Sequence, residues 1–143
     1  MNLKYLLIIV LICQINSFSF SQERKVYYSR MAKEKVSHAN YLIEDKKCNI
    51  TFIKFDENTE LSQISDYKNS FHLQEKSDLI LKEKYVDKLG IQHIKYTQTY
   101  NSIRVIGGEI VVHCQGNFAT KANGKLINEL YVNTEPNLTE DEA

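Results

Sequence analysis

The chain has 143 residues, with 18 Lys and Arg balanced by 18 Asp and Glu, 25% charged residues and a single proline. That length makes one small domain with one core, and the balanced charge offers no basic face for nucleic acid or anionic lipid. The same composition excludes a disordered tail or a proline-rich tether.

Residues 1–22, MNLKYLLIIVLICQINSFSFSQ, place one Lys ahead of an apolar run from Tyr5 to Cys13, with small residues Ser19 and Ser21 before Gln22. This is the three-part grammar of a secretion signal, with cleavage expected between Ser21 and Gln22 and a second candidate site after Ser19. The apolar run is too short to span about 30 Å of hydrocarbon, so no retained membrane anchor is expected. Lipid attachment at Cys13 is disfavoured by the bulky Ile12 before it. The expected mature protein is exported, secreted or periplasmic, and free of the membrane. Cys13 leaves with the signal, and an oxidising compartment then makes Cys48 and Cys114 either a disulfide or two separate buried thiols.

Residues 22–48 show neither clean alternation nor a helical stripe and receive no assigned structure. Residues 49–55, NITFIKF, alternate and are rich in β-branched and aromatic side chains, which predicts a strand buried on much of both faces. Leu61, Ile64, Tyr67 and Phe71 recur at helical spacing, which predicts one helix from about Glu60 to His72. From Asp78 to Val132, strand-sized runs are punctuated by turn signals at Asp87–Gly90, Asn101-Ser102, Gly116-Asn117 and Asn123-Gly124. The pattern predicts an antiparallel meander.

A two-residue turn at Asn101-Ser102 pairs Tyr100 with Ile103, Gln98 with Val105 and Tyr96 with Gly107. A one-residue bulge at Gly107-Gly108 then sets Ile94 opposite Ile110 and Gln92 opposite Val112, which keeps the apolar face continuous. The glycine pair leads into the strand EIVVHC rather than a helix, so it is a bend and not a phosphate loop. The expected fold is α+β, an antiparallel sheet of about five or six strands with one main helix packed on one face. Its expected core is Phe52, Leu61, Ile64, Phe71, Leu79, Ile94, Tyr96, Val105, Ile110 and Val112.

Catalytic signatures are missing. None of His38, His72, His93 and His113 sits in an HExxH or beside a ligand-spaced Cys or carboxylate, there is no GxSxG, and Glu57 and Glu60 belong to a turn. His93 and His113 fall on expected neighbouring strands, as a sheet-surface pair. No enzyme activity, metal or other cofactor is expected.

The stretch from Asp87 to Lys125 resembles the propeptide domain that opens thermolysin-like and fungalysin-like secreted metalloprotease precursors. The ordered parts are an Asp-x-x-Gly turn (Asp87, Gly90), His93, an aromatic then Gln-x-Tyr (Tyr96, Gln98, Tyr100), a short turn, a hydrophobic-x-Val run ending in Gly (Ile103, Val105, Gly107), a strand closing on His113, and a final Asn-Gly hairpin (Asn123, Gly124). The resemblance runs from about Leu61 to Leu130. Ser102 stands where that family commonly has Gly, and Cys114 follows the strand His.

This resemblance implies a non-catalytic inhibitor and folding assistant of a thermolysin-like metalloprotease catalytic domain, in cis within a precursor or in trans. It divides the chain into a signal (1–21), an N-terminal segment (22–48), a propeptide domain (49–132) and a linker (133–143). Thr139 and Glu142 have capping-box spacing at the start of an expected helix, where that family begins a second, PepSY-like propeptide domain. The chain is thus expected to be a fragment or a protease-less version. The alternative is a stand-alone exported binding or inhibitor module on the same scaffold.

Overall fold

A computed structural model of the chain describes residues 24–135. The expected signal with its cleavage point at Ser21 and Gln22, and the expected helix start at Thr139, lie outside the described residues.

The strands are β1 (Lys25–Tyr28), β2 (Ala39–Glu44), β3 (Ile50–Phe55), β4 (Ser77–Val86), β5 (Ile91–Tyr100), β6 (Ile103–Gln115) and β7 (Phe118–Leu126). They form one antiparallel sheet in the order β1-β2-β3-β7-β6-β5-β4. The sheet therefore has seven strands rather than five or six, and it is two meanders rather than one. Strands β1–β3 and β4–β7 are joined by a crossover that carries the chain from the middle of the sheet to its far edge, and β7 returns to pair with β3.

Residues 22–48, left unassigned from the sequence, supply β1, β2 and the short helix α1 (Ser29–Lys33). Two register shifts, between Ala39 and Tyr41 and between Ile43 and Glu44, interrupt the alternation of β2 and hide it from a period-two reading. The strand also ends on a buried carboxylate. Glu44 accepts hydrogen bonds from Lys35 Nζ at 2.8 Å and from the Tyr27 hydroxyl at 3.0 Å, so its charge is paired inside the fold.

The single helix expected over 60–72 is two separate turns, a 3-10 helix (Leu61–Ile64) and α2 (Tyr67–Ser70). Asp66 breaks the run: its backbone is non-helical, and its side chain accepts from the Asn69 N–H to cap α2. Glu60 and Gln63 close a reciprocal capping box around the first turn. The apolar face is nonetheless used as its spacing predicts. Ile64 and Phe71 are buried, and Leu61 and Tyr67 pack against the core.

The core lies on the face that this crossover covers. Ile64, Phe71, Leu79, Ile94, Tyr96, Ile110 and Val112 are buried as expected, joined by Leu42, Ile53, Phe55 and Leu126. Phe52 and Val105 are not buried core residues. A register shift between Ile50 and Phe52 turns Ile50, Ile53 and Phe55 inward and leaves Phe52 on the open face, so β3 is buried on one face and not two. Val105 sits in the bulge of β6.

Tyr100 pairs with Ile103 as expected, and Asn101 and Ser102 both have positive φ (49° and 66°), the signature of a type I′ turn. Beyond it the bulge is larger than expected. Between the pairs Thr99↔Arg104 and Thr97↔Glu109, Gln98 alone faces the four residues Val105–Gly108. Ile94 therefore meets Val112 rather than Ile110, and Gln92 meets Cys114 rather than Val112. The two extra residues preserve parity, which is why Ile94, Ile110 and Val112 still share the buried face. The Gly116-Asn117 turn forms, but Asn123-Gly124 is no hairpin: both lie inside β7, with Gly124 opposite Ile110.

Candidate functional site

The side chains singled out by the sequence collect on β4–β7. Asp87 organises the β4–β5 turn, its Oδ1 accepting the backbone N–H of Leu89 at 2.8 Å and of Ile91 at 3.0 Å, while Gly90 takes a positive φ. Its Oδ2 lies 2.9 Å from His93 Nε2. His93 stands directly opposite His113, with 2.8 Å between their Nδ1 atoms, and His113 Nε2 reaches Asn123 Oδ1 on β7. A side-chain relay thus crosses three strands on the open face. Tyr85 stacks on His93 with ring centroids 4.8 Å apart.

The Asp87 carboxylate accepts from His93 Nε2, and a single proton bridges the two Nδ1 atoms. Burial pushes the His113 ring below its ordinary value, with the Asn123 bond opposing. The His93 bond, followed by the Ile91 N–H, holds the Asp87 carboxyl below the usual carboxylate range. All four ring nitrogens are engaged, and among the described residues no group of three His, Cys, Asp or Glu is placed to hold a metal ion.

Tyr96 and Gln98 serve the opposite face. The Tyr96 hydroxyl bonds the Tyr67 hydroxyl of α2, and burial followed by this bond pushes the Tyr67 phenol far above its usual range. Gln98 is fully buried. Its Nε2 donates to the Ile127 carbonyl at 2.8 Å and its Oε1 accepts the Ile127 N–H at 2.9 Å, which ties down the chain leaving β7. The bulge makes room for it: a Cβ on Gly108 would lie 2.9 Å from Gln98 Cβ, and Gly107 has φ +80°.

Cys48 and Cys114 are free thiols, so the candidate disulfide does not form. Cys48 precedes Ile50, which pairs with Leu126, whereas Cys114 pairs with Ala119 at the other end of β7. Seven residues of strand separate the two ends, about 23 Å, against roughly 6 Å between Cα atoms for a disulfide. Burial pushes the Cys114 thiol up, as for an inert core residue.

Residues 77–126 match the Fungalysin/Thermolysin Propeptide Motif. The likeness is to that motif, over this segment alone. Its bounds coincide with the first residue of β4 and the last of β7, so the motif is the whole second meander. The match is narrower than the expected span of 61–130: the crossover, β1–β3 and the clasped tail lie outside it. A propeptide motif of this kind has no catalysis of its own and is found in precursors of thermolysin-type proteases. Its Asp, His, Gln, Tyr and Gly positions are spent here on a turn, a relay, a clasp and a bulge.

The sequence read Asn123 as a turn residue and Tyr67 as part of a helix face, and it did not single out Tyr85. Only strand register brings these to the motif residues, and none has a local signature.

Proposed function

We propose that this protein is a secreted, non-catalytic propeptide-type domain that covers a thermolysin-like metalloprotease and assists its folding. The observation that carries this reading is the coincidence of the propeptide motif with β4–β7. The order of residues 1–22 supports export, and no helix among the described residues is long and apolar enough to cross a membrane.

The physical mechanism is mass action. A domain that binds the folded protease better than its unfolded chain shifts that equilibrium toward the fold. Covalent linkage in a precursor supplies an effective concentration of about a millimolar, so weak contacts suffice there, whereas action in trans needs a better interface. The contact surface we favour is the β4 edge. Strand β1 is four residues long, but β4 is ten, is unpaired on its outer side among the described residues, and exposes Ile80, Leu81, Tyr85 and Val86. Such an edge accepts an added strand.

Purified protein is added to a thermolysin-like protease encoded in the same genome, during peptide hydrolysis and during refolding from denaturant. Slower hydrolysis or a higher refolding yield is the expected result. No effect up to about 100 μM, well past micromolar affinity, would overturn the reading in favour of a stand-alone binding module.

A further inference from the structure

The open face of the sheet carries a row of basic side chains, two of them lysines without an ion pair among the described residues. Lys54 on β3 pairs in register with Lys121 on β7, Lys121 with His113 on β6, and His113 with His93 on β5. Like charges directly opposite one another on neighbouring strands are destabilising. Other lysines of this face are paired, Lys95 and Lys82 with Glu109 and Lys125 with Asp45. Neither Lys54 nor Lys121 makes an ion pair among the described residues.

The row lines a groove of about 560 Å³ whose remaining walls include Phe52, Ile91, Gln115 and Thr120, with Asp87 at one end. Asp87 closes the β5 end of the row against His93, and the two lysines stand as an excess in a chain of zero net charge.

We propose that this row is a docking site for an acidic, extended stretch of a partner polypeptide. From β3 to β5 the row crosses three interstrand spacings, about 14 Å. Lys54 and Lys121 stand one interstrand spacing apart, about 5 Å, so neighbouring acidic side chains of one segment reach both, and the groove running on past His113 and Ile91 holds the flanking residues of a peptide, which a compact anion leaves empty. Phe52 at the β3 end, with Tyr41 at 5.9 Å between ring centroids, gives the intervening side chains an apolar floor. The proposal rests on this face alone and stands apart from the protease reading, which uses the β4 edge.

The test is fluorescence anisotropy of a dye-labelled hexaglutamate peptide with the full chain, against hexaglutamine, at low and physiological salt. Expected is salt-sensitive binding of hexaglutamate only, weakened at least tenfold by Lys54→Gln with Lys121→Gln and unchanged by Lys46→Gln with Lys47→Gln, two exposed lysines outside the row. Both pairs are exposed, and circular dichroism checks that each variant is folded. Absence of hexaglutamate binding, or equal loss in the two double variants, overturns the proposal. Two results would assign the row to another occupant and equally overturn it. One is tenfold tighter binding after Glu140→Gln, Asp141→Asn and Glu142→Gln, which would make the chain's own acidic segment the occupant. The other is self-association abolished by Lys54→Gln with Lys121→Gln, which would make it a second copy.

Discussion

The side-chain amide of Gln98 clasps the backbone of Ile127 through both its nitrogen and its oxygen, at 2.8 and 2.9 Å. Gln98 is the one β5 residue facing the four-residue bulge of β6, and Ile127 is the first residue after β7. The bulge and the clasp are thus one device: extra backbone in β6 opens space in which a fully buried amide can hold the departing chain. Gln74 repeats the arrangement on Leu130, accepting its N–H at 2.7 Å and donating to its carbonyl at 3.1 Å.

Gln98→Leu keeps the volume and strands the N–H and C=O of Ile127. An unsatisfied buried polar group costs about 1–3 kcal/mol, so the expected loss is about 2 kcal/mol or more, read as a lower urea midpoint at unchanged slope. An unchanged midpoint would show that water replaces the clasp.

Gly107→Val forces a β-branched residue to φ +80° with nothing within 4 Å of the new Cβ, so its cost is conformational, about 1–2 kcal/mol. Gly124→Ala acts differently. Its Cβ would lie 2.8 Å from Ile110 Cα, so β6 and β7 must separate, and the expected loss is larger. Thermal denaturation of the two variants checks the order.

Ser102→Gly relieves a left-handed backbone at the second position of the β5–β6 turn, where φ is 66°. The fold is expected to gain about 0.5–1 kcal/mol, since Asn-Gly is the preferred type I′ pair. A loss of stability in urea denaturation would argue against this turn type.

Two windows of pH dependence follow from charged groups. Glu109 is held at about 2 by Lys82 and then Lys95, below its ordinary 4.5. Asp45 is also held at about 2, because hydrogen bonds from Asn49 and the Lys125 ammonium outweigh the burial that opposes ionisation. A depressed acid stabilises the fold above its unfolded value and loses that contribution as pH falls through the folded value, so both terms fade between about pH 5 and 2. Glu109→Gln should flatten that limb in a plot of melting temperature against pH. His113 is lowered, so the unfolded chain binds its proton more tightly, and stability falls as pH drops below about 6.5. His113→Gln removes that slope.

Local chemistry in the sequence determined most of the motif half. The turns at Asp87–Gly90, Asn101-Ser102 and Gly116-Asn117, the strand faces of Ile94, Ile110 and Val112, and the likeness to a protease propeptide all rest on spacing within a few residues. A face depends only on parity, so it survived even an error of two residues in the length of the bulge. The tertiary structure alone decided what depends on pairing between distant segments. It placed residues 25–44 in the sheet, split the 60–72 helix at Asp66, set the two cysteines at opposite ends of β7, and carried Asn123 inside a strand. It also aligned Lys54, Lys121, His113 and His93 in one row. No period or motif encodes such a row, because its members come from four strands and meet only through the register that the whole sheet selects.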